Sequence, residues 1–284
     1  MKFAFIDAEK ATWPVRPMCR VLEVSPAGYY AWRSRPESER ATEDRKLGVL
    51  VDESYAKSRT TYGSPRVHAD LKAGGIKVSR KRVARLMRER GLRGRVRRAH
   101  VRTTDSRKGN PPAENLLNRD FTATAPNKRW VGDVTYLWVP EGWLYLAVIL
   151  DLFSRKVVGW ATSRTNDRQL ALHALGMAMV HRCPDAGLLH HTDQGSPYAS
   201  EDYQTALADA GITCSMSRRG NCYDNAVMES WFGILKSELG ERYASHEAAD
   251  RELFDYIEVF YNGIRRHGSL GYLAPREFEG QPAA

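Results

Sequence analysis

The 284-residue sequence predicts an α/β fold: a five-stranded mixed sheet with flanking helices, preceded by a small all-α region of helix-turn-helix type. Three observations lead there. From residue 129 onward, strand-like runs rich in β-branched and aromatic residues alternate with helical ones in the order strand-strand-strand-helix-strand-helix-strand-helix. Residues 1–120 carry 28 Lys/Arg against 14 Asp/Glu, whereas residues 121–284 carry 15 against 20. Three acidic residues, Asp133, Asp193 and Glu229, lie in or beside apolar runs. A carboxylate there is costly unless something compensates it.

The elements follow in order. Residues 14–33 read as two short helices around Ser25-Pro26, a cap followed by Pro at the first helical position. This is a possible helix-turn-helix or a plain helical hairpin. Residues 41–58 form another helical stretch. After Gly63-Ser64-Pro65 a helix over 66–72 breaks at Gly74-Gly75, and Ser79 caps a helix over 80–91. There Val83, Leu86 and Met87 face inward, and Lys81, Arg82, Arg85, Arg88 and Arg90 point largely outward, which suits a DNA-contacting second helix or a basic surface helix packed on something else. Residues 93–112 are basic, poor in apolar residues and end in Pro-Pro, which reads as a linker able to neutralise phosphates.

Strands are expected over 129–139, 143–153 and 157–162, a meander turned by Pro140-Glu141-Gly142 and by residues 154–156. A helix capped by Asn166 or Asp167 runs to about Cys183. A short strand over 187–192 ends at Asp193, and Ser200 caps a helix to about Ala210. A fifth strand covers 212–216, a polar loop 217–225, a helix 226–239 and a last helix about 247–264. That order is the order of the ribonuclease H-like fold, and it divides the chain into 1–60, 61–92, 93–120, 121–240 and 241–284.

Four scattered cysteines without CxxC spacing exclude a zinc ribbon and a disulfide framework. No apolar run approaches the roughly 18 residues of a membrane span, and MKFAFIDAEK has no signal-peptide core, so a cytoplasmic protein is expected. Paired carboxylates at strand ends suit hard divalent cations. Two such ions clamp the attacking and leaving oxygens of a phosphoryl displacement. Asp151, on the neighbouring strand, reads as a structural turn residue. His191 alternates onto the side of Asp193 and reads as structural or as support for the carboxylates. Asp224 and Asn225 either order their loop or cap the helix that follows.

The strings CRVLEVSPAGYYAW, YGSPRVHADLKAGGIKVSRKRVARLMRERGL, NKRWVGDVTYLWV, LDLFSRKVVGWA, HHTDQGSPYAS, GNCYDNAVMESWFGILKSEL and YNGIRRHGSLGYLAP run along nearly the whole chain. Their order, and the 35 residues between Asp193 and Glu229, resemble the second-reading-frame transposases of the IS-three family of bacterial insertion sequences. Those proteins carry a retroviral-integrase-like DDE core. The resemblance implies that Asp133, Asp193 and Glu229 are catalytic and bind two Mg²⁺ ions, with Mn²⁺ able to substitute. It implies 3′-end cleavage and strand transfer, and a contact from Lys236, two helical turns beyond Glu229, to the transposon end. Arg82, Arg85 and Arg88, and Arg265 and Arg266 near the C-terminus, are the further candidate DNA contacts. Implied partners are transposon ends and target DNA, further copies of the chain on DNA, and the first-reading-frame protein or a fusion with it, in the bacterial nucleoid. Where relatives carry Gln-Tyr, this chain has Pro197-Tyr198, and no substrate contact is carried over to that position. The alternatives are a ribonuclease H-like nuclease that cuts without joining and a non-catalytic DNA-binding regulator.

Overall fold

The computed structural model describes residues 1–95, 113–240 and 242–281. Most of the expected basic linker therefore lies outside the described residues. The chain divides into two compact units, Met1–Asp52 and Glu53–Ala284.

The first unit contains α1 (Lys2–Glu9), α2 (Val15–Val21), α3 (Pro26–Ser34) and the start of α4 (Glu39–Lys57), which spans the division. Ile6, Met18, Cys19 and Tyr29 form its core. Ser25 caps α3 by accepting the Gly28 N–H at 2.9 Å, and the Tyr29 hydroxyl donates to Asp7 at 2.9 Å. No strong sequence signal marks α1. It forms because Phe3 and Ile6 close one side of this small core.

In the second unit, α5 (Ser64–Ala73) and α6 (Arg80–Glu89) make a helical hairpin. Ser79 caps α6 through the Arg82 N–H at 3.2 Å, and Val83, Leu86 and Met87 are its buried face. The sheet follows with β1 (Arg129–Val139), β2 (Gly142–Asp151), β3 (Val157–Ser163), α7 (Arg168–Arg182), β4 (Leu189–Thr192), α8 (Glu201–Asp209), β5 (Thr213–Met216) and α9 (Ala226–Leu239). The strand order is β3-β2-β1-β4-β5. The β1, β2 and β3 meander is antiparallel, whereas β4 joins β1 and β5 joins β4 in parallel. Such a sheet needs cover on both faces, which is why β2 is apolar almost throughout. Leu170, Ala171, Ala174, Leu175 and Ala178 of α7 pack on one face. There Gly159 admits the helix backbone so closely that a Cβ would lie 2.2 Å from the Ala174 carbonyl oxygen.

Two differences from expectation concern the C-terminal part. The single helix expected over about 247–264 is α10 (His246–Phe254) followed by a wider π-helical stretch, Asp255–Tyr261. Tyr256, Ile257, Phe260 and Tyr261 are all buried there, in one of the rare wider turns that interrupt α-helices. A short α11 (Pro275–Glu279), without a counterpart in the sequence reading, brings Glu279 to Ser154, Lys156 and Arg182. Asn262 stitches this region to the sheet by hydrogen-bonding both the N–H and the C=O of Val157 at 2.9 Å.

A buried ion pair binds three parts of this unit. Arg265 donates to Glu238 at the end of α9 through Nη2 at 2.6 Å and Nε at 2.8 Å, and the Tyr256 hydroxyl donates to the same carboxylate at 2.8 Å. Arg66 of α5 approaches it at 4.0 Å, and Arg95 donates to the Ser237 and Glu238 carbonyls at 3.2 and 2.9 Å. Removing one partner leaves a buried charge uncompensated, so Glu238→Ala should cost about 3–5 kcal/mol in urea denaturation. Glu238→Leu with Arg265→Met should recover most of that loss. A loss under about 1 kcal/mol for the single variant would mean the pair does not organise the unit.

Candidate active site

The strands bring two carboxylates together before any side chain is considered. β1 and β4 pair in parallel as Arg129↔Leu189, Trp130↔His190 and Val131↔His191. Carried two residues further, the same register sets Asp133 level with Asp193, just past the end of β4. Neighbouring strands lie about 4.8 Å apart. The third acid arrives by a loop. The Asn225 side chain donates to the Gly132 carbonyl at 3.3 Å, which pins the start of α9 to β1, and Glu229 is in the first turn of α9.

The electrostatics agree with that proximity. Burial, the Asp193 charge and, more weakly, Glu229 push the Asp133 carboxyl well above the usual carboxylate range, against a hydrogen bond from the Val134 N–H at 2.8 Å. Asp133 keeps some accessible surface, yet the dense protein around its carboxyl dominates. Asp193 is raised by burial and opposed by the Gly195 N–H at 2.8 Å. Each aspartate thus has one oxygen held by a backbone N–H. Among the described residues the other oxygen of each has no hydrogen bond and neither aspartate has a cationic partner. That donor set fits a hard divalent cation. Glu229 is within electrostatic range of Asp133, but among the described residues no three acidic, His or Cys side chains are already gathered as a metal cluster.

The surroundings are built to hold these groups. Gly132 leaves no room for a side chain, because a Cβ would lie 2.9 Å from the His190 ring. His190 bonds the Tyr203 hydroxyl at 2.8 Å, and burial pushes it down to about 3. His191 uses both ring nitrogens, on Ser215 at 2.8 Å and Ser217 at 3.1 Å, so it is structural and not a ligand. Asp151 is a turn residue, accepting the Asn127 and Phe153 N–H groups at 2.8 Å. Asp224 orders the loop before α9: its buried carboxylate takes Arg218 Nε and Nη2, Arg119 Nε at 2.8 Å and Asn115 Nδ2 at 2.9 Å. Asn225 spans to β1 and makes no side-chain cap. Sequence reasoning missed Tyr198, a buried hydroxyl pushed well up by burial, Tyr203 and the charges of Asp133 and Asp193. Its only signal was adjacency to the Asp193 loop.

Family models for an integrase core domain match residues 123–222 and 210–275, and one for an HTH-like domain matches 42–100. The chain is 41% identical to transposase InsF of insertion sequence IS3A from Escherichia coli (strain K12), over 100% of both chains. It belongs to the IS3 family of transposases. A 31 kDa protein of insertion element IS600 from Shigella sonnei is 43% identical over 92% of this chain and 97% of its own. Among solved structures, the HTLV-2 integrase catalytic core domain in complex with magnesium is similar over 55% of this chain and 97% of that one, at 18% identity and a TM-score of 0.43.

The transposase distributes its expected DNA contacts unevenly. Arg88 is exposed, Arg82 is half-buried, and Arg85 pairs with Glu89 at 2.9 Å. Lys236 lies 5.0 Å over the Tyr136 ring. Arg266 pairs with Asp70 and lines a groove with Lys72 and Arg80. Arg265 is a correction: it is buried against Glu238, so its guanidinium is committed inside the protein and cannot meet a phosphate.

Two stability effects follow. The Asp133 carboxyl is raised, so its neutral form is favoured and its ionised form costs folding energy as pH rises above the ordinary carboxylate value. In chelator near neutral pH, Asp133→Asn should melt above the parent, with the gap closing as pH falls towards about 4. Asp224 has the opposite sign. Hydrogen bonds from Arg218 outweigh burial and hold it well below its usual range, so its contribution is present above about 4 and lost below. The parent should therefore lose stability more steeply than Asp224→Asn in acid melts. Parallel acid limbs would refute the clamp.

Proposed function

We propose that this DNA transposase, a polynucleotidyl transferase, cuts 3′ ends and joins them to target DNA through Asp133, Asp193 and Glu229. The observation that carries this is the side-by-side placement of two desolvated aspartates without a cationic partner among the described residues. Those oxygens would hold two divalent cations, Mg²⁺ or Mn²⁺, with Glu229 closing from the first turn of α9. Bound there, the cations supply activation of the attacking oxygen and charge neutralisation at the leaving 3′ oxygen. The chain's own part is positional. Gly195 and Val134 N–H groups orient the aspartates, Gln194 ties its loop to the Ser217 carbonyl at 2.9 Å, and the Asp224 clamp fixes the segment leading to Glu229. Positioning matters because misplacement by an ångström is costly in rate.

DNA is bound by the cationic helix α6, through Arg82, Arg85 and Arg88, by Lys236, and by the groove that includes Arg266. Further copies of the chain, and the first-reading-frame protein or a fusion with it, complete the active complex at the bacterial nucleoid. No described helix is long and apolar enough to cross a membrane.

Asp133→Asn and Asp193→Asn should abolish joining of a labelled transposon end to supercoiled target, losing more than the ~10–100-fold typical of an outer-shell change. End binding should persist. Full joining by either variant would refute the assignment, and cutting without joining by the parent would favour the nuclease reading. Arg88→Ala should lower the slope of log affinity against log salt by about one. An unchanged slope would remove Arg88 from the interface.

A further inference from the structure

The end of the β1–β2 hairpin presents bulky rings to solvent. Tyr136, Trp138 and Trp143 are 38%, 45% and 49% exposed. They lie on one side of the hairpin, since Trp138 is directly opposite Trp143 and the Tyr136 ring meets the Trp143 ring edge-on at 5.1 Å. The alternate residues Leu137, Val139 and Leu144 supply the buried side, so the three rings lie together across the strands and still face solvent. Each end of the cluster carries a cation. Lys236 Nζ lies 5.0 Å from the Tyr136 centroid, and the Arg242 guanidinium lies 5.8 Å from that of Trp138. Arg242 is held there by a strand-like bridge to Trp138, with the Tyr243 N–H donating to the Trp138 carbonyl at 3.3 Å. The carboxylate in the hairpin turn, Glu141, is 3.6 Å from the His246 ring.

Rings flanked by fixed cations suit one class of partner best. Aromatic faces stack on unpaired bases whatever their identity, and the cations answer the phosphates between them. A second copy of this chain would instead have to bury Lys236 and Arg242 against apolar surface. Within a closed duplex every base face is covered by its neighbours, so the partner is a run of unpaired nucleotides. Tyr136 and Trp138 lie three and five residues beyond Asp133 on β1 and alternate to its opposite side, and Lys236 links them to α9. Glu229 and Lys236 share a face of α9, seven residues and therefore about 10 Å apart.

We propose that Tyr136, Trp138 and Trp143, with Lys236 and Arg242, form a stacking platform for unpaired nucleotides at the hairpin end of β1, beyond the strand-end aspartates Asp133 and Asp193. The proposal rests on reading those aspartates as the strand-cutting centre. It makes the transposase prefer a frayed end or a distorted target over a closed duplex.

The test uses the full chain carrying Asp133→Asn, so that no cutting disturbs binding. It is titrated with an oligothymidylate containing 2-aminopurine and, separately, with a blunt duplex of equal length. The single strand should bind with 2-aminopurine quenching. Replacing Trp138 and Trp143 together by Ala should weaken that binding about tenfold or more and abolish the quenching, with little effect on the duplex. Replacing both by Tyr should restore it, which a merely structural role would not explain. Retention of single-strand affinity and quenching by the Ala pair would overturn the proposal. So would a change from a larger to a smaller assembly with unchanged DNA affinity, which would mark the face as a contact between copies. Cleavage by the unmutated chain is measured in parallel. Stacking without cutting would sink the reading of the carboxylates, and cutting without stacking would sink the platform alone.

Discussion

The short parallel pairing of Arg129–Val131 with Leu189–His191 forces Asp133 and Asp193 to the same level at the point where β4 ends. Everything else at the site answers that constraint. Two carboxylates on adjacent strands repel each other, and burial raises the cost of ionising either. A fold that kept them for stability alone would have matched them with arginine, as it matches Glu238 with Arg265 and Asp224 with Arg218 and Arg119. The contrast between these acids is itself informative. The buried acids that organise structure have guanidinium partners, and the pair at the strand ends has backbone N–H groups and each other.

The same contrast separates what was legible in the sequence from what was not. β1 and α9 match their expected limits, because the first alternates β-branched and aromatic residues between Lys128 and Pro140, and the second is an apolar-periodic run closed by Gly240. Asp133, Asp193 and Glu229 stood out because carboxylates are rare in such company. The C-terminal part was less readable. A periodic run from His246 onward reads as one helix, and the local pattern does not mark the widening of its second half, where Tyr256, Ile257, Phe260 and Tyr261 are buried. Arg265 and Arg266 looked alike as neighbouring cations, yet one is buried and the other lines a groove. Composition cannot tell them apart, because the difference lies in Glu238 and Asp70, which are remote in sequence.

Sequence separation also explains why the loop before α9 was ambiguous. Asp224 and Asn225 are both good caps by type, and local reasoning has no means to choose. Their partners, Arg119 and Asn115 on one side and Gly132 on the other, come from more than 90 residues away. The result is a division of labour between adjacent residues. Asp224 gathers the loop, and Asn225 attaches it to the strand one residue before Asp133. That hydrogen bond, at 3.3 Å to the Gly132 carbonyl, ties the helix start to β1 beside Asp133.

α9 links these observations. Its first turn carries Glu229, its next two turns bring Lys236 over Tyr136, and its last turn holds Glu238 inside the network with Arg265, Tyr256 and Arg66. A rigid helix anchored at both ends transmits displacement along its axis instead of absorbing it. The cationic α5–α6 hairpin touches that helix through Arg66 and, just beyond α6, through Arg95. Any shift of the hairpin is therefore felt by the element that carries Glu229. Glu229 lies near Asp133, and among the described residues no closed metal cluster is already formed. The two aspartates are set by strand register, whereas Glu229 is carried on a helix whose far end meets Arg66 and Arg95.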